Sequence, residues 1–179
     1  MIRLFAAVAV PPEIGEGLMR RQQGLPGARW RPLDSFHITL RFFGSVPEDV
    51  AADLDVELAK IAVPSFDVEL RGVGDFGEGD ELRAVWAGVH DSEPLRRLAG
   101  RCESAARRAG LKPESRAYKP HVTLAYLRRA DPGRAAAWIQ EHSLLKSPPF
   151  TAGALGLYSS WPSPEGSRYE LEREYPLMV

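Results

Sequence analysis

The chain has 179 residues, 44% of them hydrophobic and 26% charged, with a net charge of −1 and one cysteine, Cys102. That length buries a sizeable core without metal or disulfide support, and the near-neutral charge excludes a protein that coats long nucleic acids by bulk electrostatics. The lone cysteine excludes an internal disulfide and a cysteine-built zinc site.

The first element in chain order is Leu4–Val10, a buried strand. It is too short for a membrane span, and no cleavage-site pattern follows it, so it is not read as a signal peptide; a cytoplasmic protein without membrane association is expected. Glu13–Gln23 reads as a helix with Pro12 near its start. His37–Phe43 alternates like a strand. Glu48–Ile61 is helical, with Val50, Leu54, Leu58 and Ile61 apolar. Phe66–Leu70 and Leu82–Val89 are strands.

The same order then recurs. Glu93–Ala109 is a helix with Leu95, Leu98, Cys102 and Ala106 on one face, and Gly110 is a suitable stop. Cys102 is therefore expected in the core. His121–Leu127 is a strand and Pro132–His142 a short helix. Phe150–Tyr158 and Arg168–Pro176 are late strands, with the turn-rich Trp161–Gly166 between them. Gly72-Val73-Gly74 lacks the strand–helix context of a phosphate loop.

The repeated order suggests a duplication, with its two histidine strands 84 residues apart. Two such lobes, related by a pseudo-twofold axis, would face each other across a cleft.

His37-Ile38-Thr39-Leu40 and His121-Val122-Thr123-Leu124 share one pattern. In a strand, residues i and i+2 lie on one face, roughly 6–7 Å apart. His37 and Thr39 therefore share a face, as do His121 and Thr123, while Ile38, Leu40, Val122 and Leu124 point to the core. One such tetrapeptide would be weak; two, in a chain with four histidines and three threonines, are specific.

The chemistry that wants this pattern is displacement at phosphorus. One group takes a proton from the nucleophile while another gives one to the leaving oxygen, and histidine suits both jobs near neutral pH. Threonine hydroxyls are compact donors for phosphoryl oxygens. No metal or other cofactor is required.

The tandem His-x-Thr-x pair resembles the two-histidine phosphoesterase superfamily, and in it the bacterial RNA 2',3'-cyclic phosphodiesterase, or 2'-5' RNA ligase, family. Supporting stretches are Arg3-Leu4-Phe5-Ala6, Phe43-Gly44, Val85-Trp86-Ala87-Gly88, Lys119-Pro120 and Leu157-Tyr158-Ser159-Ser160. The resemblance runs from about residue 2 to 178. It implies an α+β fold: one bilobal domain over residues 1–179, with two antiparallel-rich sheets facing a central cleft and helices outside. It also implies His37 and His121 as acid and base, and Thr39 and Thr123 as phosphate ligands. For ring opening to a 2'-phosphate it assigns His37 as the acid at O3' and His121 as the base on water; the residues alone leave that order open.

The chain departs from the family where an arginine five residues after the second histidine often helps hold the phosphate: that position is Tyr126. Arg41, which alternation puts on the face of His37 and Thr39, Arg116, and Arg128, which shares the parity of Tyr126, are the candidate replacements. Phe42 and Tyr126, at equivalent points of the two halves, are expected to pack in the core or to stack a base. His90 and His142 lack a following threonine and are read as surface residues.

The first functional expectation is thus a monomeric enzyme acting on RNA ends that carry a 2',3'-cyclic phosphate, hydrolysing them and running a reversible 2'-5' ligation. The second is a phosphodiesterase for a small cyclic nucleotide or an ADP-ribose derivative. A non-catalytic nucleotide- or RNA-binding module would have no need of two titratable groups. A metal hydrolase is disfavoured because neither motif has a common zinc spacing.

Overall fold

β1 (Ile2–Ala9) realises the first apolar run, with Leu4 to Val8 buried. The computed structural model describes residues 1–164 and 166–179, with Asp80 described by its backbone alone. Glu165, in the stretch read as turn-rich, lies outside the described residues. α1 (Pro12–Met19) is shorter than the sequence suggests. Its end is followed by Gly24 at φ +77°, a conformation glycine adopts without strain.

β2 (Ala28–Trp30) has no strand signature in the sequence. β3 (His37–Val46) carries the first motif, and α2 (Glu48–Ala59) buries Leu54 and Leu58. The strand expected at Phe66–Leu70 is two: β4 (Phe66–Val68) and β5 (Leu70–Phe76). β6 (Ala84–Val89) leads to α3 (Glu93–Arg108), where the Ser92 side chain caps the Leu95 N–H. The α3 face read from the sequence is the buried one, and Cys102 is fully buried.

β7 (His121–Leu127) carries the second motif, and α4 (Pro132–Glu141) is capped by Asp131. The stretch expected as one strand over Phe150–Tyr158 divides into β8 (Phe150–Ala152) and β9 (Ala154–Ser163). β9 therefore runs into the segment read as a turn, and Ser163 pairs with Gly166 at the head of β10 (Gly166–Pro176).

The fold is α+β, with strand pairs that run antiparallel. One four-stranded sheet has the order β10-β9-β1-β3 and the other β2-β7-β6-β5, with β4 and β8 in a small separate ribbon. Each motif strand lies beside an earlier strand of its own half, β3 beside β1 and β7 beside β6. The halves are nonetheless interleaved rather than self-contained: β2 completes the second sheet, while β9 and β10 return to the first.

The two motif strands share an irregularity. In β3, Ala7 pairs with Thr39 and Ala6 with Arg41, which leaves Leu40 as an extra residue. In β7, Trp86 pairs with Thr123 and Val85 with Ala125, which leaves Leu124 extra. The fourth residue of each motif is thus the bulge, and both leucines are buried. An inserted residue reverses side-chain parity beyond it.

His142 is not a surface residue. It is 7% exposed, its ring centroid lies 4.7 Å from that of Trp138, and Arg21 Nη1 lies 3.3 Å from its Nδ1. The reason is helical spacing: His142 follows Trp138 by four residues and shares its inward face. His90 is exposed, as expected.

Candidate active site

Strict alternation over the first four positions of each motif strand puts Ile38 and Val122 in the core and leaves the histidines and threonines half-buried. Among the described residues neither threonine hydroxyl has a protein hydrogen-bond partner, so both are free to donate. The Thr39 carbonyl is occupied instead, accepting from the Tyr118 hydroxyl at 2.8 Å.

Beyond the bulges the parity reversal decides which side chain follows each threonine. Arg41 leaves the face of His37 and binds Glu103 of α3, with Nε 3.0 Å from Oε2, and donates to the Lys112 carbonyl at 2.7 Å. The guanidinium thus links β3 to the α3–β7 connection, away from the face on which strict alternation puts it. Phe42 takes its place, with its ring 5.6 Å from that of Phe5. Tyr126 does the same in β7. Phe42 and Tyr126 are 52% and 45% exposed, which excludes the core-packing alternative for both.

The other two arginines do not join the cluster. The Arg116 side chain is 81% exposed and pairs with Glu114. Arg128 is exposed at the end of β7.

Each histidine is framed by aromatic rings. His37 stacks on Phe5 at 4.8 Å and meets the edge of Tyr169 at 5.1 Å, with Tyr158 at 6.0 Å. His121 meets Phe76 edge-on at 4.7 Å and Trp86 at 6.0 Å. Lys119 Nζ sits 4.8 Å above the Trp86 ring. His121 Nδ1 donates to the Lys119 carbonyl at 2.7 Å.

Both imidazoles are biased toward the neutral form. Burial pushes His37 down to about 4, against a main-chain hydrogen bond at Ser35 that favours the charged form; Arg31 and His121 lower it further. Burial also lowers His121, opposed by its bond to Lys119 and reinforced by the Lys119 charge. The two sides meet at Arg31, whose guanidinium lies 5.5 Å from the ring of Tyr126 in β7 and from that of Tyr169, the ring whose edge meets His37.

Some of these groups carry no sequence signal. Arg31 comes from just beyond the unrecognised β2, and Tyr169 from the late hairpin. Phe5, Trp86, Lys119 and Tyr158 fall in stretches that match the resembled family, but nothing local marks them as neighbours of the histidines. The arrangement offers two imidazoles, two free hydroxyls and two exposed aromatic rings around one cleft. That set can hold a phosphate, exchange two protons around it and stack a flanking base.

The sequence matches the family model described as 2'-5' RNA ligase superfamily over residues 10–160. It is 44% identical over 98 residues to an RNA 2',3'-cyclic phosphodiesterase of Aeropyrum pernix, a match that takes in 54% of this chain and 56% of that relative. It is 33% identical over 126 residues to an RNA 2',3'-cyclic phosphodiesterase of Escherichia coli, covering 68% of this chain and 70% of the relative. The crystal structure of E. coli LigT complexed with 3'-AMP superposes with a TM-score of 0.82 at 26% identity, over 99% of both chains.

Proposed function

The chain is an enzyme of the 2'-5' RNA ligase superfamily, and we propose that it hydrolyses RNA 2',3'-cyclic phosphate ends to 2'-phosphates by acid–base catalysis between His37 and His121. The observation that carries this reading is the pair of motif strands, bulged at the same residue, each presenting one imidazole and one unspent hydroxyl.

In the proposed step His121 takes a proton from water through Nε2, since its Nδ1 proton is held by Lys119. The water oxygen bonds to phosphorus as the P–O3' bond breaks, and His37 gives its proton to O3'. Thr39 and Thr123 hold the non-bridging oxygens. His37 must be charged before the step, which its surroundings oppose in the free site. The anionic phosphate supplies the opposing charge, so His37 gains its proton together with substrate. With a 5'-hydroxyl in place of water, the same step would join the cyclic end to it through a 2'-5' bond, and its reverse would regenerate the cyclic phosphate.

The proposal takes the protein as one bilobal domain over residues 1–179, acting as a monomer in the cytoplasm without a metal cofactor. Among the described residues no helix is long and apolar enough to cross a membrane. Phe42 and Tyr126 favour an oligonucleotide over a small cyclic nucleotide, because exposed rings on both sides of the cleft suit flanking bases.

The test is incubation with an RNA ending in 2',3'-cyclic phosphate, EDTA present, followed by identification of the product end. A 2'-phosphate is expected. A 3'-phosphate would reverse the leaving oxygen, and turnover confined to mononucleotides would favour the small-molecule reading.

A further inference from the structure

Arg31 is the most deeply buried arginine of the cleft, 5% exposed. Its backbone continues the β2–β7 ladder, its N–H donating to the Leu124 carbonyl at 2.8 Å. The side chain crosses to the other sheet. Nη2 donates to the Ser35 hydroxyl at 3.2 Å and to the Ser167 carbonyl at 2.7 Å. The guanidinium lies 5.5 Å from the ring centroids of both Tyr126 and Tyr169. Gly166, at φ +109°, packs closely on the guanidinium: a Cβ there would fall 2.8 Å from Nη1.

These partners are neutral. Among the described residues no carboxylate pairs with Arg31, whereas Arg41, Arg96, Arg108 and Arg173 each have one. Holding a positive charge away from water without a counterion is costly, and an anion that enters repays part of that cost. The location names the anion. Arg31 is close enough to His37 to depress its protonation, and Tyr126 follows Thr123 on the phosphate-facing side of β7.

We propose that Arg31 is the cation that holds the substrate phosphate, taking over from a strand position occupied by Tyr126. The charge reaches the cleft from the end of β2 rather than from β7. The two serine-derived contacts orient the guanidinium through Nη2, leaving Nε and Nη1 without a hydrogen-bond acceptor among the described side chains other than the Tyr169 hydroxyl beside it. Each can donate singly to a phosphate oxygen, and the guanidinium charge supplies the rest of the attraction. Tyr126 and Tyr169 then act as walls that keep the guanidinium planar to the cleft.

This inference rests on the proposed reaction for its catalytic consequence but not for its binding consequence, so the test reads both. Inorganic phosphate is titrated into the whole protein while the His37 ring is followed by NMR, and turnover of the cyclic-phosphate RNA is measured in parallel. Three variants are compared: Arg31→Gln, which keeps a polar side chain without the charge; Arg31→Lys; and Arg31→Gln combined with Tyr126→Arg. Thermal melting of each controls for folding.

Arg31→Gln is expected to lose on the order of 10²-fold in kcat/KM, as for one charge-stabilising donor, and to weaken phosphate binding. It should raise the His37 pKa in the phosphate-free protein. Arg31→Lys should recover part of the loss, and adding Tyr126→Arg should recover more, by restoring a guanidinium from β7. Phosphate binding by Arg31→Gln equal to wild type would overturn the proposal, as would failure of both charge-restoring variants in a folded protein. If wild type binds phosphate through Arg31 yet leaves the RNA uncut, the reaction falls while the anion site stands.

Discussion

His121 and Lys119 are joined by a hydrogen bond of 2.7 Å from the imidazole Nδ1 to the main-chain oxygen two residues earlier. A carbonyl oxygen only accepts, so Nδ1 carries the proton and the lone pair of the neutral ring sits on Nε2. Nitrogen-detected NMR of the labelled ring should therefore show the Nδ1–H tautomer at neutral pH. An Nε2–H tautomer would remove the proposed base.

The pH profile follows from the same electrostatics. His37 must be charged and His121 neutral, yet the free site lowers both, His37 to about 4. The bell in kcat/KM, which reports the free enzyme, should peak below pH 6.5. The bell in kcat should lie higher, because bound phosphate raises both rings. The two limbs belong to the coupled pair. Superimposable kcat and kcat/KM profiles would contradict a His37 charged by its substrate.

Stability should carry the same signature. A histidine depressed by folding stays neutral in the native state while the unfolded chain takes up a proton below about pH 6.5. Protons thus favour unfolding, and the contribution present above 6.5 is lost as pH falls toward 4. For His37 this amounts to roughly 3 kcal/mol. Denaturant unfolding at pH 7 and pH 4.5 should show a smaller loss for His37→Gln than for wild type.

Arg41 and Phe42 are adjacent in sequence but differ in role. Arg41→Ala breaks a largely buried pair with Glu103 and should cost about 2 kcal/mol of stability, with turnover within about threefold of wild type for a residue that meets no substrate. Phe42→Ala should leave stability nearly unchanged and raise KM for an oligonucleotide about tenfold, the worth of one stacked base. Tyr126→Phe keeps the ring and should be mild. Melting curves and steady-state kinetics on the same three variants separate these outcomes.

The residues that announce themselves in the sequence are those governed by local rules. The β7 bounds, the inward face of α3 and the shared face of each His–Thr pair follow from periodicity alone. Arg41 was misplaced because alternation holds only until the register slips, and a bulge at Leu40 has no composition of its own. β2 has three residues and draws its order from pairing with β7 across nearly a hundred positions. Arg31 inherits that invisibility: nothing near it in the chain shows that it meets Ser167 and Tyr126. His142 shows the same limit at a helix end, where a shared face with Trp138 outweighs polarity.

The central claim is that two histidines act as one acid–base unit, and turnover of a cyclic-phosphate RNA by His37→Ala, His121→Ala and the double variant tests it most directly. Each single change should cost roughly 10²–10⁴-fold with the fold intact. The double variant should be far less than multiplicatively worse, because removing one partner already disables the other. A single variant that keeps more than about a tenth of the wild-type rate, or losses that multiply in the double variant, would contradict it.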